Sequence, residues 1–215
     1  MLTTVIFDFD GLIIDTETAW YHSYKDVLRE HYQVDLPLDV FAKCVGSDDA
    51  SLFHYVQANL TGTLDVGALK KEAAELHHEK MELEQERSGV RSLLEDAHRA
   101  GMNIALASSS SRSWVSHFLR ELSLLPYFDI LITKEDVKKV KPAPDLFLCV
   151  LDRLNVTAAE SIVFEDSLNG LKAAQTANLK TVIIPNPVTE HLPFTDYFMK
   201  VGSMDQVNLQ ELMTR

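Results

Sequence analysis

Short apolar runs rich in β-branched residues recur along the chain: residues 3–9 (TTVIFDF), 103–107 (NIALA), 161–164 (SIVF) and 181–184 (TVII), with a weaker one at 128–132 (FDILI). A strand that is apolar at successive positions has no polar face to give to water, so both of its faces must be covered. Helical patterns at residues 90–100, 112–122, 144–154 and 168–177 separate these runs. Gly101 suits the C-terminal cap of the first, and Pro144 with Asp145 suits the N-terminus of the third. Alternating strand and helix predicts an α/β architecture with a mostly parallel sheet.

Residues 15–88 break the rhythm. Residues 16–31, 47–59 and 66–87 read as helix, and no good strand lies among them. This is too long for a strand-to-helix crossover and predicts a helical insertion after the first strand. Its most charged stretch, KKEAAELHHEKMELEQER, has Glu and Lys at helical spacing and is expected to present a solvated face. His77 and His78 are adjacent, so on a helix they point about 100° apart and make no metal pair.

Ligands of parallel α/β sheets bind beyond the carboxyl ends of the strands. The residues that follow the runs are Asp8, Asp10 and Gly11, then Ser108 to Ser111, then KKVKPAPD with Lys141, then Glu165 and Asp166. Asp8 sits between Phe7 and Phe9, and Asp10 follows Phe9, in an apolar run where an unpaired carboxylate costs several kcal/mol. Carboxylate oxygens are hard ligands suited to magnesium (Mg2+), and Asp8, Asp10 and Asp166 on adjacent strands are candidates to hold one ion. Two acids at i and i+2 share a face of an extended chain and can address one substrate atom. One serves as nucleophile on phosphorus and the other as proton donor and then base. Lys141 and Ser108 supply positive charge and a hydrogen bond for phosphoryl oxygens.

FDFDGLIIDTE, ALASSSS, KPAPD and VFEDSLNG, in that order, resemble the four motifs of the haloacid dehalogenase (HAD) superfamily, over residues 5–187. The resemblance implies a Rossmann-like core, residues 1–15 and 89–215, and a helical cap inserted over residues 16–88. It implies Asp8 as nucleophile and Asp10 as general acid/base, with Ser108, Ser109 and Lys141 binding phosphate. It further implies metal binding by Asp8, Asp10 (through its main-chain carbonyl), Asp166 and the neighbouring Glu165. Glu17, Trp20, Gly46 and Ser47 are the candidates in the insertion for touching substrate.

Dehalogenases of the superfamily lack the second aspartate, so Asp10 favours phosphoryl transfer. The sequence is similar to the β-phosphoglucomutase-like subfamily, including its DTE. It departs from the mutase pattern at Trp20, where the mutase has histidine, and at Asp48, where the mutase has the arginine that grips a second phosphate. A tryptophan at position 20 resembles the 2-deoxyglucose-6-phosphate and hexitol phosphatases. The expected function is therefore Mg2+-dependent hydrolysis of a small phosphorylated metabolite, a sugar phosphate, through an aspartyl-phosphate, with β-phosphoglucomutase as the alternative.

A net charge of −12 argues against nucleic acid or anionic membrane as partner. The two cysteines, Cys44 and Cys149, form no CxxC motif and are expected as buried thiols. The opening MLTTVIFDFD has no signal-peptide pattern, and no apolar run approaches a membrane span of about 18 residues. The expectation is a cytoplasmic monomer.

Overall fold

The computed structural model describes residues 1–45 and 50–214. Strands β1 (Thr4–Phe7), β2 (Asn103–Ala107), β3 (Ile130–Ile132), β4 (Ser161–Glu165), β5 (Lys180–Ile183) and β6 (Met199–Lys200) form one sheet in the order β3-β2-β1-β4-β5-β6. All neighbouring pairs are parallel. The helices are α1 (Thr16–Val27), α2 (Leu38–Ala42), α3 (Ala50–Asn59), α4 (Val66–Met81), α5 (Val90–Arg99), α6 (Arg112–Glu121), α7 (Asp145–Leu154), α8 (Leu168–Thr176) and α9 (Leu209–Thr214). This is the expected α/β, Rossmann-like arrangement. The predicted strands are all present, and β6 is an addition at the sheet edge, two residues long and too short to leave a pattern.

β1 is apolar throughout because each face meets a different core. Val5 and Phe7 pack with Leu93 and Leu94 of α5 and with Val115 and Leu119 of α6. Ile6 packs with Phe147 and Val150 of α7 and Ala173 of α8. Burying each such large side chain is worth about 1.5–3 kcal/mol, which fixes the strand at the centre of the sheet. There β1 pairs with β2 on one side and β4 on the other, Phe7 facing Leu106 and Phe164. The strand order reverses at this point, which opens a crevice beyond the carboxyl ends.

Helices α1 to α4 bury an apolar cluster of their own, including Tyr24, Leu28, Leu36, Phe41, Leu52, Val56 and Leu69, joined by Val188 from beyond β5. The predicted helix over residues 66–87 ends earlier, at Met81. Beyond it the chain must return to the sheet: Glu86 pairs antiparallel with Ile14, and Arg87 N donates to Ile13 O at 2.8 Å, which requires extended backbone. The predicted helix over residues 47–59 is observed as α3, and residues 46–49 lie outside the described residues. α2, five residues long, was too short to register as a period.

The solvated face expected of α4 holds for Lys71 and Glu75, an i,i+4 ion pair, and for His78, exposed 4.0 Å from Glu82. It fails for His77, which is 3% exposed and stacks on Trp20 with ring centroids 3.9 Å apart. Neither cysteine is in a disulfide. Among the described residues no helix is long and apolar enough to cross a membrane.

Candidate active site

The crevice holds a cavity of about 320 Å³ lined by Asp8, Asp10, Glu17, Trp20, Ser109, Ser110, Lys141 and Asp166, among others. Groups from four strand ends and from α1 therefore meet, although they lie far apart in the sequence. Asp8 and Asp10 leave β1 as the ladder ends, and Gly11 turns the chain at φ +77°. A Cβ on Gly11 would stand 2.2 Å from Asp166 Oδ2, so a larger residue would drive the two acidic loops apart.

Among the described residues Lys141 is the cation bonded directly to the acids. Its Nζ donates to Asp8 Oδ1 (2.5 Å), Glu165 Oε1 (2.6 Å) and the Ala107 carbonyl (2.8 Å), using all three of its protons. The Lys141–Pro142 peptide bond is cis. Burial works against the ammonium charge, but Asp8 and Glu165 more than reverse it and raise the Lys141 pKa. Burial pushes Asp8 up to about 7; Lys141 pulls it down, and Glu165 and Asp10 push it further up. Asp166 is raised well above the usual carboxylate range by burial, then by Glu165 and Asp8. One lysine thus faces more negative charge than it can offset.

Asp8, Glu165 and Asp166 each bring a carboxylate oxygen to within 4.8 Å of the others. Asp166 Oδ2 accepts from Asn186 Nδ2 at 2.7 Å, whereas Asp166 Oδ1 is buried and has no hydrogen-bond partner. An all-oxygen, over-charged set with an orphaned buried acceptor fits a hard divalent cation such as Mg2+. Glu165 belongs to this cluster, but both its oxygens are engaged: Oε1 by Lys141, and Oε2 by the Asp166 and Ser167 amides and the Ser167 hydroxyl. Asp8 and Asp166 retain the capacity to ligate.

Ser108 lies beneath the cavity wall rather than on it. It is fully buried, its Oγ donates to Asp10 Oδ2 at 3.2 Å, and it accepts from Ser110 N at 3.0 Å. Ser109 and Ser110 reach the cavity surface. Asp10 also accepts from Ser110 Oγ at 2.6 Å and from Trp114 Nε1 at 2.9 Å. Glu17 lines the wall on the α1 side, and burial, then Asp10, Asp15 and Asp8, raise its pKa to about 8. Trp20 stands beside it. Gly46 and Ser47 lie outside the described residues.

Three residues at or behind the site escaped the sequence reading, Arg87, Trp114 and Asn186, and His77 was read only as part of a solvated face. The Arg87 guanidinium caps the carbonyls of Gly11, Ile184 (3.2 Å) and Pro185 (2.7 Å). Asn186, in the PNP that follows β5, holds Asp166. Nothing in the one-dimensional pattern marks an arginine in a charged stretch or a tryptophan on an amphipathic helix as a partner of the acids.

A family model described as haloacid dehalogenase-like hydrolase matches residues 5–184. YhcW of Bacillus subtilis (strain 168), which bears the name of a phosphatase, is 40% identical over 99% of this chain and 97% of its own. The phosphorylated carbohydrates phosphatase of Thermotoga maritima is 33% identical over 84% of each chain. Among solved structures, one from Thermotoga maritima described as a β-phosphoglucomutase is 28% identical, covers 99% of both chains and superposes with a TM-score of 0.76.

Proposed function

The chain belongs to the haloacid dehalogenase-like hydrolases, and we propose that it is a Mg2+-dependent phosphatase that hydrolyses a sugar phosphate through an aspartyl-phosphate on Asp8. The observation that carries this reading is the Lys141 ammonium bonded to Asp8 beside the orphaned Asp166 oxygen. That pairing sets a nucleophile between a fixed cation and acids able to hold a second one. The names of the two relatives support a phosphatase and a carbohydrate substrate.

Asp8 attacks phosphorus in line with the leaving oxygen. A bond from its carboxylate to phosphorus forms as the ester bond breaks. Asp10 gives its proton to the departing alkoxide, and as a carboxylate it then takes one from water. The water oxygen attacks phosphorus, which frees Asp8 and inorganic phosphate. Lys141 faces the charge on the phosphoryl oxygens, and Ser109 donates a hydrogen bond to them. Glu165 holds Lys141 in place, while Ser108 seats Asp10 from below. Asp8, Asp166 and the Asp10 carbonyl would hold Mg2+, which when bound supplies positive charge that keeps Asp8 ionised and offsets the phosphoryl oxygens. Residues 16–88 act as a cap over a core of residues 1–15 and 89–215, a reading supported by the separate apolar cluster of α1 to α4. Glu17 and Trp20, on the cavity wall, meet the leaving group.

The test is release of inorganic phosphate from a panel of sugar phosphates and from p-nitrophenyl phosphate, with Mg2+ or with EDTA. Asp8→Asn is expected to abolish turnover with the fold intact. Residual activity above about a tenth of the parent removes Asp8 from its role. The mutase reading, favoured by the name of the Thermotoga maritima structure, predicts instead that β-glucose 1-phosphate is isomerised without phosphate release.

A further inference from the structure

The carboxylate of Asp10 has two unlike sides. Oδ2 meets two hydroxyls, Ser108 Oγ at 3.2 Å and Ser110 Oγ at 2.6 Å; Oδ1 meets the indole Nε1 of Trp114 at 2.9 Å. A hydroxyl can turn and accept, whereas an indole N–H only donates. While the indole bond stands, Oδ1 is held as an acceptor and the carboxyl group cannot turn about its bond to the chain.

The indole is held in turn. The edge of Phe118 meets it at 4.6 Å and 66°, and the His77 ring stacks on it at 5.7 Å and 25°. His77 stacks on Trp20 at 3.9 Å and 10°. Burial lowers the His77 pKa to about 4, so the ring in the middle is neutral and brings no charge towards Asp10. Trp20 and His77 lie on α1 and α4, within the helical insertion, and Trp114 lies on α6, which packs on the sheet. A row of three rings therefore runs from the insertion to the acid.

We propose that Trp114 is a positioning residue for Asp10: its N–H, seated by the Trp20–His77 stack, fixes the orientation of the carboxyl group that serves the leaving group. The inference rests on the reading of Asp10 as general acid/base.

Trp114→Phe keeps an aromatic ring in the stack and removes the donor. With glucose 6-phosphate, an alkyl phosphate whose leaving oxygen needs a proton, kcat/KM is expected to fall about tenfold. With p-nitrophenyl phosphate, whose leaving group departs as a stable anion, it is expected to change by less than about twofold. In an Asp10→Asn background Trp114→Phe should cost nothing further. Equal losses on the two substrates, or a full further loss in that background, would show a merely structural role and overturn the proposal. If Asp10→Asn itself leaves alkyl-phosphate turnover intact, the acid/base reading is what has failed. A second measurement needs no turnover. The chain has two tryptophans, hence two indole N–H signals by NMR. Asp10→Asn is expected to shift the signal that Trp114→Phe deletes, and an unmoved Trp114 signal overturns the bond in solution.

Discussion

Gly170→Ala is the smallest change that should disable this site from outside the cavity. Position 170 is in α8, where Ala in place of Gly ordinarily stabilises a helix by about 1 kcal/mol. Here the new Cβ would stand 1.9 Å from Glu165 Cδ and Oε1. A flexible carboxylate at a surface would swing aside. Glu165 is fully buried, and its two oxygens are fixed by Lys141, two backbone amides and the Ser167 hydroxyl. Making room means giving up the Lys141 bond, and opening a buried ion pair costs about 3–5 kcal/mol. The net expectation is a loss of about 2–4 kcal/mol, a fall of about 1 M or more in the urea midpoint. Phosphatase activity should fall more than about tenfold, because Lys141 loses one of its two carboxylate anchors. Gly67→Ala in α4, where the Cβ would lie 3.3 Å from Asp65 Oδ1, is the comparison and should stay within about 1 kcal/mol of the parent. A Gly170→Ala protein with an unchanged or raised midpoint and near-parental activity refutes the packing reasoning around Glu165.

Lys141→Met should abolish turnover and leave Asp8 and Glu165 buried without their cation; burial raises Asp8 and Lys141 is what pulls it down, so without the lysine Asp8 holds a proton in the folded state and urea unfolding should show a deficit larger at pH 8 than at pH 5. Glu17 is raised from 4.5 to about 8, so the folded chain binds a proton that the unfolded chain has released, and the stability this brings is full below about 4.5 and lost as pH rises through about 8. Glu17→Gln should flatten the fall in melting temperature across that window, and an unchanged pH profile would contradict the burial of a protonated Glu17.

The strands were legible because burial on two faces leaves few ways to write a strand, and the acids were legible because they interrupt such a run. Ser108 was read correctly as a strand-end hydroxyl but lies under Asp10, while Ser109 and Ser110 reach the surface; a sequence does not say how far a turn advances each side chain. His77 shows the opposite failure. Its neighbours on α4 are charged and solvated, and only the position of Trp20 across the helix pair makes its place apolar. The helix over residues 66–87 was overextended because Glu, Gln, Lys and Arg favour helix locally, whereas residues 82–88 must return to pair beside Ile14. In each case tertiary contact overrode a local preference.

Two separate links join the insertion to the acids, and they meet on either side of one peptide. Arg87, where the insertion returns to the sheet, donates to the Gly11 carbonyl, and Asn186 reaches the same carbonyl at 3.4 Å while holding Asp166. One residue earlier, the Asp10 side chain takes the indole of Trp114 at the end of the aromatic row. The backbone of the acid loop is therefore tied to the return of the insertion, and the side chain of its second acid to the packed face of α1 and α4. A shift of α1 and α4 would therefore reach Asp10 through both links at once, whereas Asp8 is anchored to Lys141 from the core. Asp8 is thus set by the sheet alone, and Asp10 by the sheet together with α1 and α4. On the mechanism proposed above, that division makes attack by Asp8 wait until the leaving group is seated against Asp10.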